Sequence, residues 1–432
     1  MPHIPKLDLF LDVNRQQIKD LSRKLGKDIG LRDKRQIKGL RLLLCNMYIQ
    51  GQRQVMVSRR KETLGGKRYN PLGIGYRAII SSLDALQKNG YIIQEKGSHN
   101  EGTMTTMEST DKLIQWFNDT DWSDDRIDKR VGSYVTLRES RKQNDNAVYI
   151  NFDDTKYSKW LGERVRQYDQ LLNSCKIVLL DDDGTEDREF KKFTVQRKFI
   201  RHKTSFKNME FAFGGRMPGP WVNLSSELRK NITINGEPTI ELDRDASHLN
   251  AMYQVVTGAP YPYDDDPYHI VVEGREVTRH IAKNFSSFMQ GSKSPKGAAH
   301  SVINHYKYRA LEVKNPKEKD IKKHEEYVEF KKKVKPTDIA NAILDKHPKV
   351  AKYYNRGKVF GDSISCWESD IVFEVVMELT KRGIPCLTIY DSFVVPLQYK
   401  DLVDTMKDTT PYVDRRGILK ELLQLDNNGG IS

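Results

Sequence analysis

Only four cysteines occur in 432 residues, at positions 45, 175, 366 and 386, and no two form a CxxC pair. That spacing excludes a disulfide framework and the familiar zinc patterns, and leaves small core residues of a reducing compartment. Long apolar runs are also missing. With a mean hydropathy of −0.67, nothing approaches the roughly 18–20 apolar residues a membrane helix needs. The start, Met1-Pro2-His3-Ile4-Pro5, has neither a basic n-region nor an apolar core, so no secretory leader is expected. The expected setting is cytoplasmic, in a bacterium or a phage-infected host cell, with no membrane partner. Acidic charge is in deficit: 72 Lys and Arg stand against 59 Asp and Glu, a net charge of +13. Such an excess favours a polyanionic partner, because neutralising phosphates releases counterions.

The length implies two or three domains. In residues 1–117, Asp33–Ile49 reads as a helix with Ile37, Leu40, Leu44 and Met47 on one face. Gly75–Asn89 repeats the period through Ile79, Leu83 and Leu86, and Asn89-Gly90 is a left-handed helix stop. Tyr91–Gln94 and Thr103–Met107 then read as two strands joined by a polar turn. This order resembles the winged helix-turn-helix of bacterial DNA readers. The resemblance implies that Arg77, Ser81, Ser82 and Lys88 face a DNA groove while Lys96 and His99 reach phosphate. A protein-docking module of the same shape is the alternative. The acidic stretch Asn118–Asp128 reads as a linker, taken as residues 118–134. Residues 135–432 read as one α+β domain, with Lys314–Lys335 forming a solvated helix.

Two short apolar stretches run into aspartates. One is Thr239-Ile240-Glu241-Leu242-Asp243; the other, Cys386 to Val395, reads as a single strand containing Asp391. A carboxylate at the mouth of an apolar strand is costly unless its charge is compensated. Two on neighbouring strands can share divalent cations; each alone can instead cap the next helix or turn. The run Lys191–Lys207 interleaves basic and aromatic residues, as a strand-binding surface does. Arg197 and Arg201 are the expected phosphate contacts there.

Four motifs in order resemble the palm and fingers of family-A DNA polymerases and the related single-subunit phage-type RNA polymerases. Gly214-Gly215-Arg216-Met217 with Trp221-Val222-Asn223-Leu224 is similar to the "TGRL…QNIP" element, and Ile240 to Asp245 resembles the first palm motif. Arg279-His280-Ile281-Ala282-Lys283, leading to Met289-Gln290-Gly291, resembles the fingers helix; Leu387 to Phe393 resembles the second palm motif. The implied fold is α+β, a right-hand polymerase palm of antiparallel sheet with helical fingers, behind a small winged-helix domain. The implied activity is a DNA-directed nucleotidyltransferase of phage or plasmid replication, with template DNA and nucleoside triphosphates as partners. Alternatives are a single-subunit RNA polymerase or primase that starts chains de novo, and a catalytically dead DNA-binding regulator.

The resemblance implies Asp243 and Asp391 as catalytic ligands of two Mg²⁺ ions, for which Mn²⁺ can substitute, with the backbone carbonyl of Leu242 or Arg244 as a natural further ligand. Arg279 and Lys283, one helical turn apart, are the implied triphosphate contacts. Arg216 and Tyr390 are implied nucleic-acid contacts. Tyr390 replaces the usual His, Arg244-Asp245 the usual Tyr-Ser, and Gln290 the Tyr that stacks beneath the incoming sugar. Asp245 is either an additional carboxylate near the metals or the ion-pair partner of Arg244. His248, five residues after Asp243, is placed to crowd a ribose 2′-hydroxyl, which leans toward dNTPs. Glu368 or Asp370 could orient a primer or metal-bound water; capping of a helix over Ile371–Arg382 is the plainer role.

Overall fold

The computed structural model describes residues 4–64, 66–98, 103–140, 148–202, 209–313 and 316–410, with 417, 418 and 422. The chain is mixed α+β, and its ladders between named strands are antiparallel. It divides into two units: Met1–Lys198 with Met217–Leu242 and Val376–Val403, and Phe199–Arg216 with Asp243–Val375 and Asp404–Ser432.

In the first unit the two front helices span Lys34–Gln50 and Tyr76–Lys88. Asp33 starts the first by accepting the Arg35 N–H at 2.8 Å, and Gln36 accepts in return from the Asp33 N–H, a capping box. The helices meet where Gly39 has no side chain; a Cβ there would lie 2.6 Å from the Ala78 carbonyl oxygen. Gly90, at φ +73°, ends the second helix. Ile92–Glu95 and Thr105–Ser109 pair as expected, and Val55–Val57 adds a third strand.

The expected linker is instead part of this unit. Trp122 is buried against Tyr48 and Phe117. Ile127–Lys129 pairs with Leu11–Val13, an N-terminal strand. Acidic composition here marks a surface, while Trp122 and Ile127 hold the segment to the core.

The same unit holds a six-stranded sheet in the order Leu387–Ile389, Ser392–Pro396, Glu237–Leu242, Ile232–Ile234, Ile177–Leu180, Glu186–Phe190. Strand alternation buries Leu242 and turns Glu241 to Arg229, which grips it with two bonds of 2.7 and 2.6 Å. Trp221 Nε1 donates to the Thr388 carbonyl at 3.1 Å, and Thr388 Oγ1 donates to the Met217 carbonyl at 2.6 Å. These bonds tie the Met217–Leu224 segment to the sheet edge.

The second unit is chiefly helical, including Ser247–Thr257, Arg279–Gly291, Pro295–Lys307, Glu318–Lys331 and Pro336–Lys346. Leu249, Met252, Phe285, Phe360 and Trp367 belong to its core. The Lys314–Lys335 region is helical as expected over Glu318–Lys331, but Tyr327 is buried, so one face is packed. All four cysteines are free thiols, and Cys45, Cys366 and Cys386 are buried. Among the described residues no helix is long and apolar enough to cross a membrane.

Candidate functional site

The two aspartate motifs fall on neighbouring strands. Glu237–Leu242 pairs with Ser392–Pro396 in a register that sets Thr239 opposite Pro396 and Leu242 opposite Phe393. Asp243 follows Leu242 in the chain and Asp391 precedes Ser392, so both leave the same end of this ladder. The stretch Cys386 to Val395 is not the single strand expected. Ile389 pairs with Ser392, which makes Tyr390-Asp391 the two-residue turn of a hairpin. Tyr390 sits at φ +55° and is half exposed; such hairpin turns need left-handed backbone. Asp243 is exposed and Asp391 partly exposed.

With the Leu242 carbonyl, these aspartates offer oxygen donors alone, the type magnesium takes. Among the described residues no group of three or more His, Cys, Asp or Glu is arranged to hold a metal ion. The turn after Asp243 is strained: Ala246 has φ +45° immediately before the helix Ser247–Thr257. Arg244 is buried and donates from Nε to the Lys407 carbonyl at 2.9 Å, while Asp245 is exposed.

Within the second unit, Arg216 and His248, from separate motifs, converge on Glu368. Glu368, 2% exposed, takes Arg216 on one oxygen at 2.6 Å and His248 Nε2 on the other at 3.1 Å. His248 Nδ1 in turn lies 3.1 Å from the Gln290 side-chain oxygen. Burial pushes the Glu368 carboxyl up, but His248 and Arg216 together outweigh it and hold it at about 2. Glu368 is therefore no helix cap. Its helix begins at Lys358, so the residue lies about three turns inside it. Gln290 is 3% exposed and held by His248.

The two expected triphosphate contacts face different surroundings. Arg279 is ion-paired to Asp266 at 2.7 Å and lies over the Tyr268 ring. Lys283 lines a cleft of about 320 Å³ with His305, Arg309, Lys319 and Lys323. Burial, then neighbouring cations, lower the His305 pKa there. The basic residues from Arg309 to Lys323 were not singled out from sequence; their charge reads as a solvated helix face.

Arg197 is 1% exposed, which removes it as a phosphate contact, whereas Arg201 is exposed. On the front helix Arg77 and Lys88 are exposed, but Ser82 is buried and donates to the Gln36 carbonyl at 2.8 Å. Lys96 is exposed; His99 lies outside the described residues. Compared with family models, curated proteins and solved structures, the chain matches none.

Proposed function

We propose that this chain is a template-directed nucleotidyltransferase that copies DNA, with Asp243 and Asp391 as its metal-holding carboxylates. The observation that supports the reading is the strand register, in which Leu242 and Phe393, close in the chain to Asp243 and Asp391, are paired at one end of one ladder. The chemistry that two bound Mg²⁺ ions supply at such a pair is activation of a 3′-hydroxyl and neutralisation of a triphosphate. Glu368 fixes His248 as a wall against the sugar, while Arg279 exchanges Asp266 for phosphate when a triphosphate arrives. The front helix, through Arg77 and Lys88, reads duplex DNA and brings the core to its site of action.

A second reading, an RNA polymerase or primase, draws support from Gln290. A glutamine has no ring to stack beneath an incoming sugar, and this one is buried and bound to His248. The test is incorporation of labelled dNTPs and NTPs, side by side, on primed and unprimed templates with Mg²⁺. Activity that falls by orders of magnitude in Asp391→Ala is the expected result. Incorporation undiminished by that change sinks the metal assignment, and no incorporation by the wild type favours a regulator with a dead core.

A further inference from the structure

Two adjoining cavities in the first unit contain neither Asp243 nor Asp391 in their walls, although Tyr390, the neighbour of Asp391, lines the second. One, of about 330 Å³, is lined by Tyr69, Tyr76 and Tyr149. The other, of about 480 Å³, is lined by Arg188, Lys191 and Lys192. They share Lys6, Asp8, Thr194 and Lys198 as common walls. A volume near 300 Å³ lies at the small end of ligand pockets.

The first cavity offers aromatic faces. The Tyr69 and Tyr149 rings lie 4.6 Å apart and form one wall. Tyr69 spends its hydroxyl on the Ile150 carbonyl at 2.6 Å and Tyr76 spends its own on the Arg59 carbonyl at 2.7 Å. What these rings present to the cavity is therefore surface for stacking. The polar groups at the junction are underused. Thr194 Oγ1 is buried with no hydrogen-bond partner among the described residues, a cost the fold does not otherwise recover. The Asp8 carboxylate accepts the Phe10 N–H at 2.8 Å on one oxygen. Burial moves the Asp8 carboxyl up to about 6 and the Lys198 amine down to about 8. Titratable groups perturbed by burial beside an unsatisfied hydroxyl and an aromatic wall make the cavity a candidate ligand site.

We propose that these joined cavities bind one nucleotide, its base against the tyrosines and its phosphate on the lysine-lined side. The chemistry is complementary at each point. A planar base has π-faces for the ring wall, an amino edge suits the Asp8 carboxylate, and an acceptor suits the Thr194 hydroxyl. A phosphate meets Lys198 and Lys192. The same ligand can arrive as a free mononucleotide or as one residue of a single strand.

The test uses the full-length protein in EDTA, which separates it from catalysis. AMP, GMP, CMP and UMP are titrated by calorimetry, and a fluorescein-labelled 12-mer of dT by anisotropy. Saturable binding of a mononucleotide identifies the free ligand; saturable binding of the strand alone identifies a strand residue. In either case Lys198→Gln and Thr194→Val should each weaken binding at least fivefold with no loss of melting temperature. Bound nucleotide should also protect Lys198 from acetylation, read by mass spectrometry, which needs no variant. Asp243→Ala, which lines neither cavity, should bind as the wild type does, so failure of the catalytic reading leaves this one standing. The proposal falls if neither probe binds saturably, or if both variants bind like wild type and Lys198 is not protected.

Discussion

His248 is held through Nε2 by Glu368 at 3.1 Å, and the same carboxylate is clamped by Arg216 at 2.6 Å. An imidazole so fixed cannot swing freely, and a carboxylate 2% exposed cannot lose its partners cheaply. Glu368→Gln keeps the shape and removes the charge. It should lower stability by about 1–3 kcal/mol, the cost of leaving hydrogen-bonded partners unsatisfied. Chemical denaturation reads this; an unchanged midpoint would show that Arg216 and His248 do not depend on the pair.

The same carboxylate sets an acid dependence. Its pKa is about 2 in the folded chain against an ordinary 4.5, so its contribution is fully present above 4.5 and is lost as pH falls toward 2. Asp8 works in the other direction: raised to about 6 from 3.8, it favours the fold at low pH, and that gain is lost as pH rises from 3.8 through 6. The stability gap between wild type and Glu368→Gln should therefore shrink steadily as pH falls from 4.5 toward about 2. A gap constant over that range would contradict the depressed pKa.

His248→Gly tests sugar choice. Removing the ring should raise ribonucleotide use roughly 5–150-fold, equivalent to about 1–3 kcal/mol for relief of steric crowding. Deoxynucleotide incorporation should change far less. Equal effects on both sugars would assign His248 to general packing.

For the front helix, Arg77→Ala and Lys88→Ala should weaken duplex DNA binding for all sequences. Each cation taken away from a phosphate should reduce the salt slope by about one. If affinity and slope both hold, this face docks a protein. Point changes are the cleaner probe, because Leu11–Val13 pairs with Ile127–Lys129 and a cut at residue 117 would sever that ladder.

Arg197→Ala should behave as a core lesion. With 1% of the residue exposed, the expected result is a lower melting temperature with nucleic-acid affinity per folded molecule unchanged. Arg201→Ala should show the reverse.

The parts of the fold that the sequence made legible are those with local signals. The 3.6-residue period of Ile37, Leu40, Leu44 and Met47, its repeat through Ile79, Leu83 and Leu86, and the Asn89-Gly90 stop place two helices within a residue of their observed ends. Long-range pairings were not legible. Three-residue strands such as Leu11–Val13 carry no period, and an acidic surface hid the core packing of Trp122. Arg197 had a usable signal: it shares strand parity with Val195 and Phe199, both buried. The Glu368 helix was started too late because Glu-Ser-Asp imitates a cap, whereas the break lies at Gly357, at φ +86°. Tyr390-Asp391 contains no Gly and puts a Tyr at the left-handed position, so the turn signal of Asp391 was masked by the apolar stretches on either side.

That turn has a mechanical meaning. Asp391 stands at a fold in the backbone, and the ladders on Ser392–Pro396 act as a ruler for where it stands. Sliding that strand by one residue would carry the carboxylate about 3.4 Å along and turn its neighbours to the opposite face. Trimming any one side chain nearby alters local packing; inserting a single residue between Leu387 and Pro396 would misplace the aspartate outright. The hairpin is therefore a stretch where chain length, more than residue identity, is under constraint.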